Sequence, residues 1–124
     1  MPTAAPTILV IDDEPLVLDT MARSLERVGF VVLRADSAEE ARRLATESTL
    51  ELILSDVNMP GLRGPDLVTE LKAAGIACPV MFTSGDPSFE VVDKSLRVPG
   101  ATFLPKPFSG SELVDAVFET LGQR

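Results

Sequence analysis

Charged and hydroxyl side chains follow four of the apolar runs in this chain, at the point where each run stops. Asp12 and Asp13 follow the first of these runs, Asp56 another, Ser84 the next and Lys106 the last. Clustered carboxylates repel one another unless a cation lies between them. Mg²⁺ suits such a cluster, because it is a hard ion that prefers oxygen ligands and keeps several waters. The residue types therefore predict a divalent-cation site, provided that the fold brings these positions together.

Asp56 is the carboxylate at the centre of this set. Residues 52–54 before it are all apolar and do not alternate with polar residues, which is typical of a strand covered on both faces. Pro60 and Gly61 cannot extend that strand and predict a turn. Open α/β sheets bind ligands at the carboxyl ends of their strands. A lone Asp at a strand end is more often a turn or capping residue, so its function depends on the rest of the chain.

The same residues suit phosphoryl transfer to a carboxylate. Asp56 would attack phosphorus in line, while Mg²⁺, Lys106 and the Ser84 hydroxyl would offset charge on the phosphoryl oxygens. A carboxylate is already ionised at neutral pH, so no general base is needed. The chain has no histidine, and therefore a phosphohistidine donor must lie outside these 124 residues.

Composition narrows the class of protein further. The 124 residues are 45% hydrophobic, enough for one domain with its own core. The formal net charge of -8 argues against a broad basic face for direct binding of nucleic acid. The single cysteine, Cys78, excludes an internal disulfide and fits a reducing cytoplasm. No apolar run approaches the roughly 20 residues of a membrane span, and no signal peptide is visible.

Apolar runs and helical patterns alternate five times along the chain. The predicted strands are 7–11, 31–35, 52–56, 79–83 and 101–104, and residues 1–6 form a loose lead-in. Helices are predicted to begin at Pro15, after Ser37, at Pro65, at Pro87 and after Ser109. Such alternation with short connections predicts a parallel sheet with helices on both faces. All carboxyl ends of the strands then share one rim, where the residues named above would converge.

Helical spacing also predicts which side chains face the core. These are Leu18, Met21, Ala22, Leu25 and Val28 in the first helix, Ala41, Leu44 and Ala45 in the second, Leu67, Val68, Leu71 and Ala74 in the third, Phe89, Val92 and Leu96 in the fourth, and Leu113, Ala116, Val117 and Leu121 in the fifth. Ser37 with Glu40 and Ser109 with Glu112 read as capping boxes. The fourth helix has the poorest pattern, so we expect it to be the least stable.

Four segments in the right order resemble the signatures of a response-regulator receiver domain of two-component signalling. They are Ile8-Leu9-Val10-Ile11-Asp12-Asp13-Glu14, Leu54-Ser55-Asp56-Val57-Asn58-Met59-Pro60-Gly61, Phe82-Thr83-Ser84-Gly85 and Phe103-Leu104-Pro105-Lys106-Pro107-Phe108. The resemblance covers residues 7–121. It implies a flavodoxin-like, doubly wound α/β fold, with five parallel strands in the order 2-1-3-4-5 and five helices on both faces.

The resemblance also implies roles for the acidic residues. Asp56 would be the phosphoacceptor and a Mg²⁺ ligand. Asp13 would ligate Mg²⁺ directly and Asp12 mainly through water, while Asn58 would contribute its backbone carbonyl. Positions two beyond the phosphoacceptor and the hydroxyl residue tune acyl-phosphate lifetime in relatives, so we hypothesise that Asp86 affects autodephosphorylation. An unchanged hydrolysis rate in Asp86→Ala would contradict that hypothesis.

The remaining roles concern switching. Ser84 would follow the phosphoryl group and Phe103 would be the aromatic rotamer switch, working by packing because it lacks the phenolic hydroxyl of a tyrosine. Lys106 would pair with the phosphoryl group, and its peptide bond to Pro107 would be cis. Thr83 and Ser84 are adjacent hydroxyls of which only one should face the site; Ser84 is preferred because a small residue follows it, as in the family. Phe103 as plain core remains an open alternative.

The implied partners are a sensor histidine kinase or histidine phosphotransferase as phosphoryl donor, and a downstream protein that binds the last two helices and the strand between them. The apolar stripe Val114, Val117, Phe118 and Leu121 fits that surface, although Phe118 could equally pack against a neighbour. Such a protein would catalyse only its own phosphorylation and autodephosphorylation in a phosphorelay. The chain could be a stand-alone regulator or a part of a hybrid kinase or multidomain regulator.

Three other classes remain as alternatives. A Mg²⁺-dependent phosphohydrolase with an aspartyl-phosphate intermediate would use Asp-x-Asp at one strand end, and usually a cap domain. A flavin-binding domain would need a Ser/Thr/Gly-rich loop where this chain has Asp13-Glu14-Pro15. A degenerate receiver could serve only as a docking module, although the complete set of site residues argues against it.

Overall fold

The computed structural model describes residues 5–59, 63–85 and 88–122, and five strands alternate with five helices there. They are β1 (Thr7–Ile11), α1 (Pro15–Glu26), β2 (Val31–Ala35), α2 (Ala38–Glu47), β3 (Leu52–Asp56), α3 (Gly64–Ala73), β4 (Val80–Ser84), α4 (Phe89–Leu96), β5 (Ala101–Pro105) and α5 (Gly110–Leu121). The predicted turn at Pro60-Gly61, Pro87 as a helix start, the first residues of the lead-in and Asp86 lie outside the described residues.

The strands form one parallel sheet in the order β2-β1-β3-β4-β5, which confirms the predicted fold. β2, which contains the charged residue Arg34, lies at one edge of the sheet. Every residue of β3 and of β4 is buried, as expected for interior strands with helices on both faces. The register pairs Ile11 of β1 with Ser55 of β3, and Asp56 of β3 with Thr83 of β4.

The sheet separates two apolar cores. On one side, called the α1/α5 face, side chains of the strands pack against α1 and α5; on the other, called the α2–α4 face, they pack against α2, α3 and α4. Leu54 and Met81 point to the α1/α5 face, whereas Ile53 and Phe82 point to the α2–α4 face. Alternation along a strand therefore assigns each residue near the rim to one face.

The two predicted capping boxes differ in outcome. At α5 the Glu112 backbone amide donates to Ser109 Oγ over 3.1 Å, and the Ser109 amide donates to the Glu112 carboxylate over 3.1 Å, which confirms the box. At α2 the Glu40 amide donates to Ser37 Oγ over 3.2 Å. The Glu40 carboxylate, however, binds the Arg43 guanidinium and does not cap the helix. The second half of that predicted box is wrong.

The predicted inward face of α4 is also wrong. Val91 and Ser95 are the buried residues of this helix, whereas Val92 is half-buried and Leu96 is 51% exposed. The Ser95 hydroxyl donates to the Val91 carbonyl over 2.7 Å, so it needs no partner outside the helix. A pattern read from apolar residues alone could not find a buried serine. The side chain of Phe89 is not among those described.

Smaller differences lie near helix ends. Val28 is 47% exposed and Ala74 is exposed, because α1 ends at Glu26 and α3 at Ala73, before either residue. Leu44, Ala116 and Leu121 are half-buried, while the other predicted inward residues of α1, α2, α3 and α5 are buried. No helix within the described ranges has the length and apolar character needed to cross a membrane.

Candidate metal centre

Three carboxylates meet at the carboxyl rim of β1 and β3. Asp12 directly follows Ile11, which pairs with Ser55, so Asp12 lies level with Asp56 across the two neighbouring strands. One carboxylate oxygen each from Asp12, Asp13 and Asp56 lies within 4.8 Å of the others. Two ligands of one Mg²⁺ are at most about 4.2 Å apart, because each Mg–O bond is about 2.1 Å. Small side-chain rotations would therefore let these oxygens share one such ion.

The three acids differ in exposure. Asp12 is fully buried, Asp56 is 5% exposed and Asp13 is half-buried on the solvent side. The Asp12 carboxylate accepts a hydrogen bond from the Glu14 amide over 2.9 Å, just before Pro15 opens α1. The start of α1 thus helps to hold Asp12 in place, while Asp13 is left accessible to an arriving ion.

Lys106 supplies the positive charge of this cluster. Its Nζ donates to Asp12 Oδ2 over 3.0 Å and lies 3.6 Å from Asp56 Oδ1. The pairing of β4 with β5 ends at Pro105, so Lys106 leaves the sheet at the rim and reaches across it. The peptide bond between Lys106 and Pro107 is cis, as the resemblance implied.

The burial of these charges shifts their proton affinities. The pKa of Asp56 is raised from 3.8 to about 6; burial is the largest cause, Lys106 opposes it, and the negative charges of Asp12 and Asp13 add to the increase. Burial alone would lower the pKa of Lys106, but its hydrogen bond to Asp12 and the charge of Asp56 outweigh that effect and raise it. The increase in the pKa of Asp56 therefore comes chiefly from burial, to which the neighbouring carboxylates add and which Lys106 only partly offsets.

The two adjacent hydroxyls of β4 face opposite sides of the sheet. Ser84 follows Phe82 on the α2–α4 face, and its Oγ accepts a hydrogen bond from the Asn58 side-chain amide over 3.2 Å. Thr83 follows Met81 on the α1/α5 face, which is also the face of Asp56. Ser84 therefore reaches the rim from the end of the strand, beside the residue that follows Asp56 by two positions.

Phe103 lies on the same face as Ser84. It is half-buried, pairs in register with Phe82 and packs against the α2–α4 core. Phe118 of α5 packs against Phe30 with ring centroids 5.2 Å apart, which confirms the alternative that it packs against a neighbour. The residue is only half-buried, so part of it stays accessible to solvent. Its place in a partner surface stays a prediction.

Sequence reasoning missed two residues that bear on this site. A Cβ added to Gly64 would lie 2.3 Å from the backbone oxygen of Asp56, so only glycine allows α3 to begin this close to β3. The one sequence signal was a glycine immediately before Pro65. Thr83 was set aside in favour of Ser84, and nothing in the sequence showed that its side chain shares a face with Asp56.

Comparison with known proteins agrees with this geometry. The response regulator receiver domain family matches residues 8–118. The chain is 38% identical over 120 residues to the transcriptional regulatory protein PrrA of Mycobacterium tuberculosis, an alignment that covers 97% of this chain and 52% of PrrA. Against MalR of Bacillus subtilis it is 34% identical over 82% of this chain and 44% of MalR. The chain thus spans about half the length of these curated relatives.

Solved structures give the same result. The receiver domain of the hybrid histidine kinase CckA is 38% identical, with a TM-score of 0.78 over 93% of this chain and 98% of that one. A receiver domain protein from Clostridium thermocellum is 30% identical, with a TM-score of 0.84 over 95% of both chains.

The parallel sheet and the acidic rim define an α/β domain, and the family match places it among signalling modules rather than classical enzymes. The chain belongs to the response regulator receiver domain family of two-component systems. Members of this family interact with histidine kinases and downstream effectors, and phosphorylation and Mg²⁺ are typical of them.

Proposed function

We propose that Asp56 accepts a phosphoryl group from a partner phosphohistidine, and that the domain signals this event to a downstream protein. The observation that carries the proposal is the convergence of Asp12, Asp13 and Asp56 within 4.8 Å, with Lys106 Nζ beside two of them. Separate strands contribute these groups, so their meeting at one rim is a property of the fold. The absence of histidine requires a donor outside the chain.

The residues of the rim would have different roles in phosphoryl transfer. Asp56 would be the nucleophile, and Lys106 would move from the carboxylates to the transferred phosphoryl oxygens. Asp12, Asp13, Asp56 and the backbone carbonyl of Asn58 would hold Mg²⁺, which would neutralise charge on those oxygens. The fully buried Asp12 suits a contact through water, and the more accessible Asp13 a direct one. The domain would act only on its own aspartyl phosphate, forming and hydrolysing it.

The switch would run from Ser84 to the surface of α4, β5 and α5. Phosphorylation adds roughly one further negative charge and strong acceptor oxygens beside the rim. Ser84 would give up its contact with Asn58 and turn toward those oxygens. Phe103, on the same face, would then repack into the space that the β4 end leaves, and α4 would shift. Support comes from the shared face of Ser84 and Phe103 and from the small buried face of α4.

The partners follow from this chemistry. A sensor histidine kinase or histidine phosphotransferase would supply the phosphoryl group, and a downstream protein would bind the altered α4, β5 and α5 surface. The net charge of -8 supports a domain that does not contact nucleic acid itself, and the single cysteine supports a reducing cytoplasm as its location. PrrA and MalR are named as transcriptional regulators, and about half of each lies outside the matched region.

The test is phosphorylation by acetyl phosphate in the presence of Mg²⁺. Intact mass should rise by one phosphoryl group, the label should be sensitive to hydroxylamine, and EDTA should prevent it. Asp56→Asn should take up none. Asp66→Asn, an exposed position on α3, is the matched control and should be labelled like the wild type.

Other outcomes would favour the alternative classes. Turnover of added phosphate monoesters without a lasting label would indicate a phosphohydrolase. A folded wild-type protein that takes up no label at any Mg²⁺ concentration would contradict the proposal and favour a docking module.

A further inference from the structure

Thr83 carries a hydroxyl that the fold buries without a partner. Among the fully buried side-chain oxygen and nitrogen atoms of the described ranges, Thr83 Oγ1 is the one that makes no hydrogen bond. The residue itself is 0% exposed. An unsatisfied buried hydroxyl destabilises the folded state, whereas a valine of the same shape would not. The hydroxyl therefore needs an explanation other than packing.

The position of Thr83 suggests that explanation. Thr83 and Asp56 are direct partners in the register of β3 and β4. Leu54 and Met81, two residues before each of them, both pack in the α1/α5 core, so Thr83 and Asp56 point to the same face. Neighbouring strands lie about 4.8 Å apart. Rotation of the Thr83 hydroxyl between its staggered positions can therefore bring it to the Asp56 carboxylate.

Lys106 leaves room for such a donor. Its Nζ forms a hydrogen bond of 3.0 Å to Asp12, but it lies 3.6 Å from Asp56 Oδ1, which is an ion-pair distance and too long for a hydrogen bond. Lys106 would also move toward the phosphoryl oxygens once Asp56 is phosphorylated. The carboxyl group of Asp56 would then depend on another neighbour to stabilise charge on its own oxygens.

We propose that the Thr83 hydroxyl donates a hydrogen bond to the Asp56 carboxyl group as it leaves phosphorus during autodephosphorylation. The inference rests on the proposed function of Asp56. In that step a water oxygen bonds to phosphorus, the bond between phosphorus and the Asp56 oxygen breaks, and its electron pair stays on Asp56. The products are the carboxylate and dihydrogen phosphate. Negative charge grows on Asp56 in the transition state, so a donor there speeds the step.

A packing role for Thr83 makes a different prediction. If the residue only fills space as a small β-branched side chain, Thr83→Val should make the protein equally or more stable and leave the aspartyl phosphate unchanged. If the hydroxyl assists the leaving carboxylate, the same variant should keep its phosphoryl group for longer. The lifetime of the aspartyl phosphate therefore separates the two roles, whereas the stability of Thr83→Val is expected to be the same under both.

The experiment measures the lifetime of the phosphorylated full chain. Wild type and variants are labelled with acetyl phosphate and Mg²⁺, the donor is removed, and loss of the label is followed by intact mass. Thr83→Val should lengthen the half-life about fivefold, because the loss of one ordinary hydrogen bond in the transition state slows the step by about that factor. Thr83→Ala should act in the same direction, and Thr83→Ser should stay close to wild type. Thr102→Val, a change of the same kind at an exposed position of β5, is the matched control.

Equal half-lives of wild type and the two hydroxyl-free variants would overturn the inference. So would a long-lived Thr83→Ser protein, because serine keeps the hydroxyl and its slow hydrolysis would show that packing at this position sets the rate. Denaturation midpoints identify any variant that fails to fold, and the remaining hydroxyl-free variant then decides. A wild type that takes up no phosphoryl group would instead defeat the proposed function, and the inference with it.

Discussion

Asp56 is almost completely buried beside two other carboxylates, and Lys106 offsets only part of the effect of that burial. The result is a pKa raised from 3.8 to about 6. A carboxyl group whose pKa rises on folding costs no stability while it is protonated in both states, below about pH 3.8. The cost grows as the pH rises toward 6 and is complete above it. Asp56 should therefore destabilise the metal-free protein at neutral pH.

The first prediction follows from the direction of the pKa shift of Asp56. Asp56→Asn should raise the free energy of unfolding at pH 7 by about 2 kcal/mol without Mg²⁺, because each pKa unit is worth about 1.4 kcal/mol and asparagine is still a polar group to bury. The gain should be smaller at pH 5. Urea titrations at both pH values, with and without Mg²⁺, measure it. Equal stability of the two proteins at pH 7 would contradict the electrostatic account.

A second prediction concerns Gly64. Gly64→Ala would place a methyl group 2.3 Å from the Asp56 backbone oxygen, so α3 or the end of β3 must move. We expect a loss of about 1–3 kcal/mol in the free energy of unfolding, as for other overpacked sites, together with weaker Mg²⁺ binding. Gly85→Ala is the control, because an added Cβ there meets nothing within 4 Å. If calorimetry finds both variants alike, the close approach is not what glycine provides at position 64.

At the scale of elements, α4 differs from the other helices of the described chain. It is the shortest, with 8 residues, and among its described side chains those of Val91 and Ser95 are buried, the latter with its hydroxyl bonded within the helix. Little apolar area therefore fixes it to the sheet, as its weak sequence pattern suggested. That weakness suits an element that must move when the rim changes, whereas α1 buries the four apolar residues Leu18, Met21, Ala22 and Leu25.

The third prediction tests that difference. In hydrogen exchange followed by mass spectrometry, amides of α4 should exchange faster than those of α3, which lies on the same face of the sheet. Phosphorylation, or a stable phosphoryl mimic with Mg²⁺, should change exchange in α4 and β5 more than in α1. If α1 shows the larger change, the switch runs through the other face and Phe103 is ordinary core.

At the scale of the whole molecule, the order and type of the elements could be predicted from the sequence, whereas several side-chain contacts could not. Unbroken apolar runs such as that of β3 identify interior strands, and parallel strands share one rim, so Asp12, Asp56 and Lys106 could be predicted to meet. The strand order itself came from family resemblance. Which hydroxyl of Thr83 and Ser84 shares a face with Asp56 depends on strand register, which periodicity does not contain.

Errors in the prediction have definite physical causes. The inward face of α4 was wrong because Ser95 satisfies its hydroxyl within the helix and can be buried like an apolar residue. The capping box at Ser37 was half wrong because Glu40 has Arg43 as a nearby charged partner. Both outcomes depend on competition between side chains for the same hydrogen-bonding group, and a spacing rule does not evaluate that competition.

The central claim is that Asp56 receives the phosphoryl group at a rim built from three strands. The most direct measurement is reduction of the acetyl-phosphate-treated protein with borohydride, which converts a phosphorylated aspartate to homoserine, followed by peptide mass mapping. Homoserine should appear at position 56 only, and only when Mg²⁺ was present during labelling. Homoserine at position 12 or 13, or a labelled protein with aspartate intact at position 56, would contradict the account.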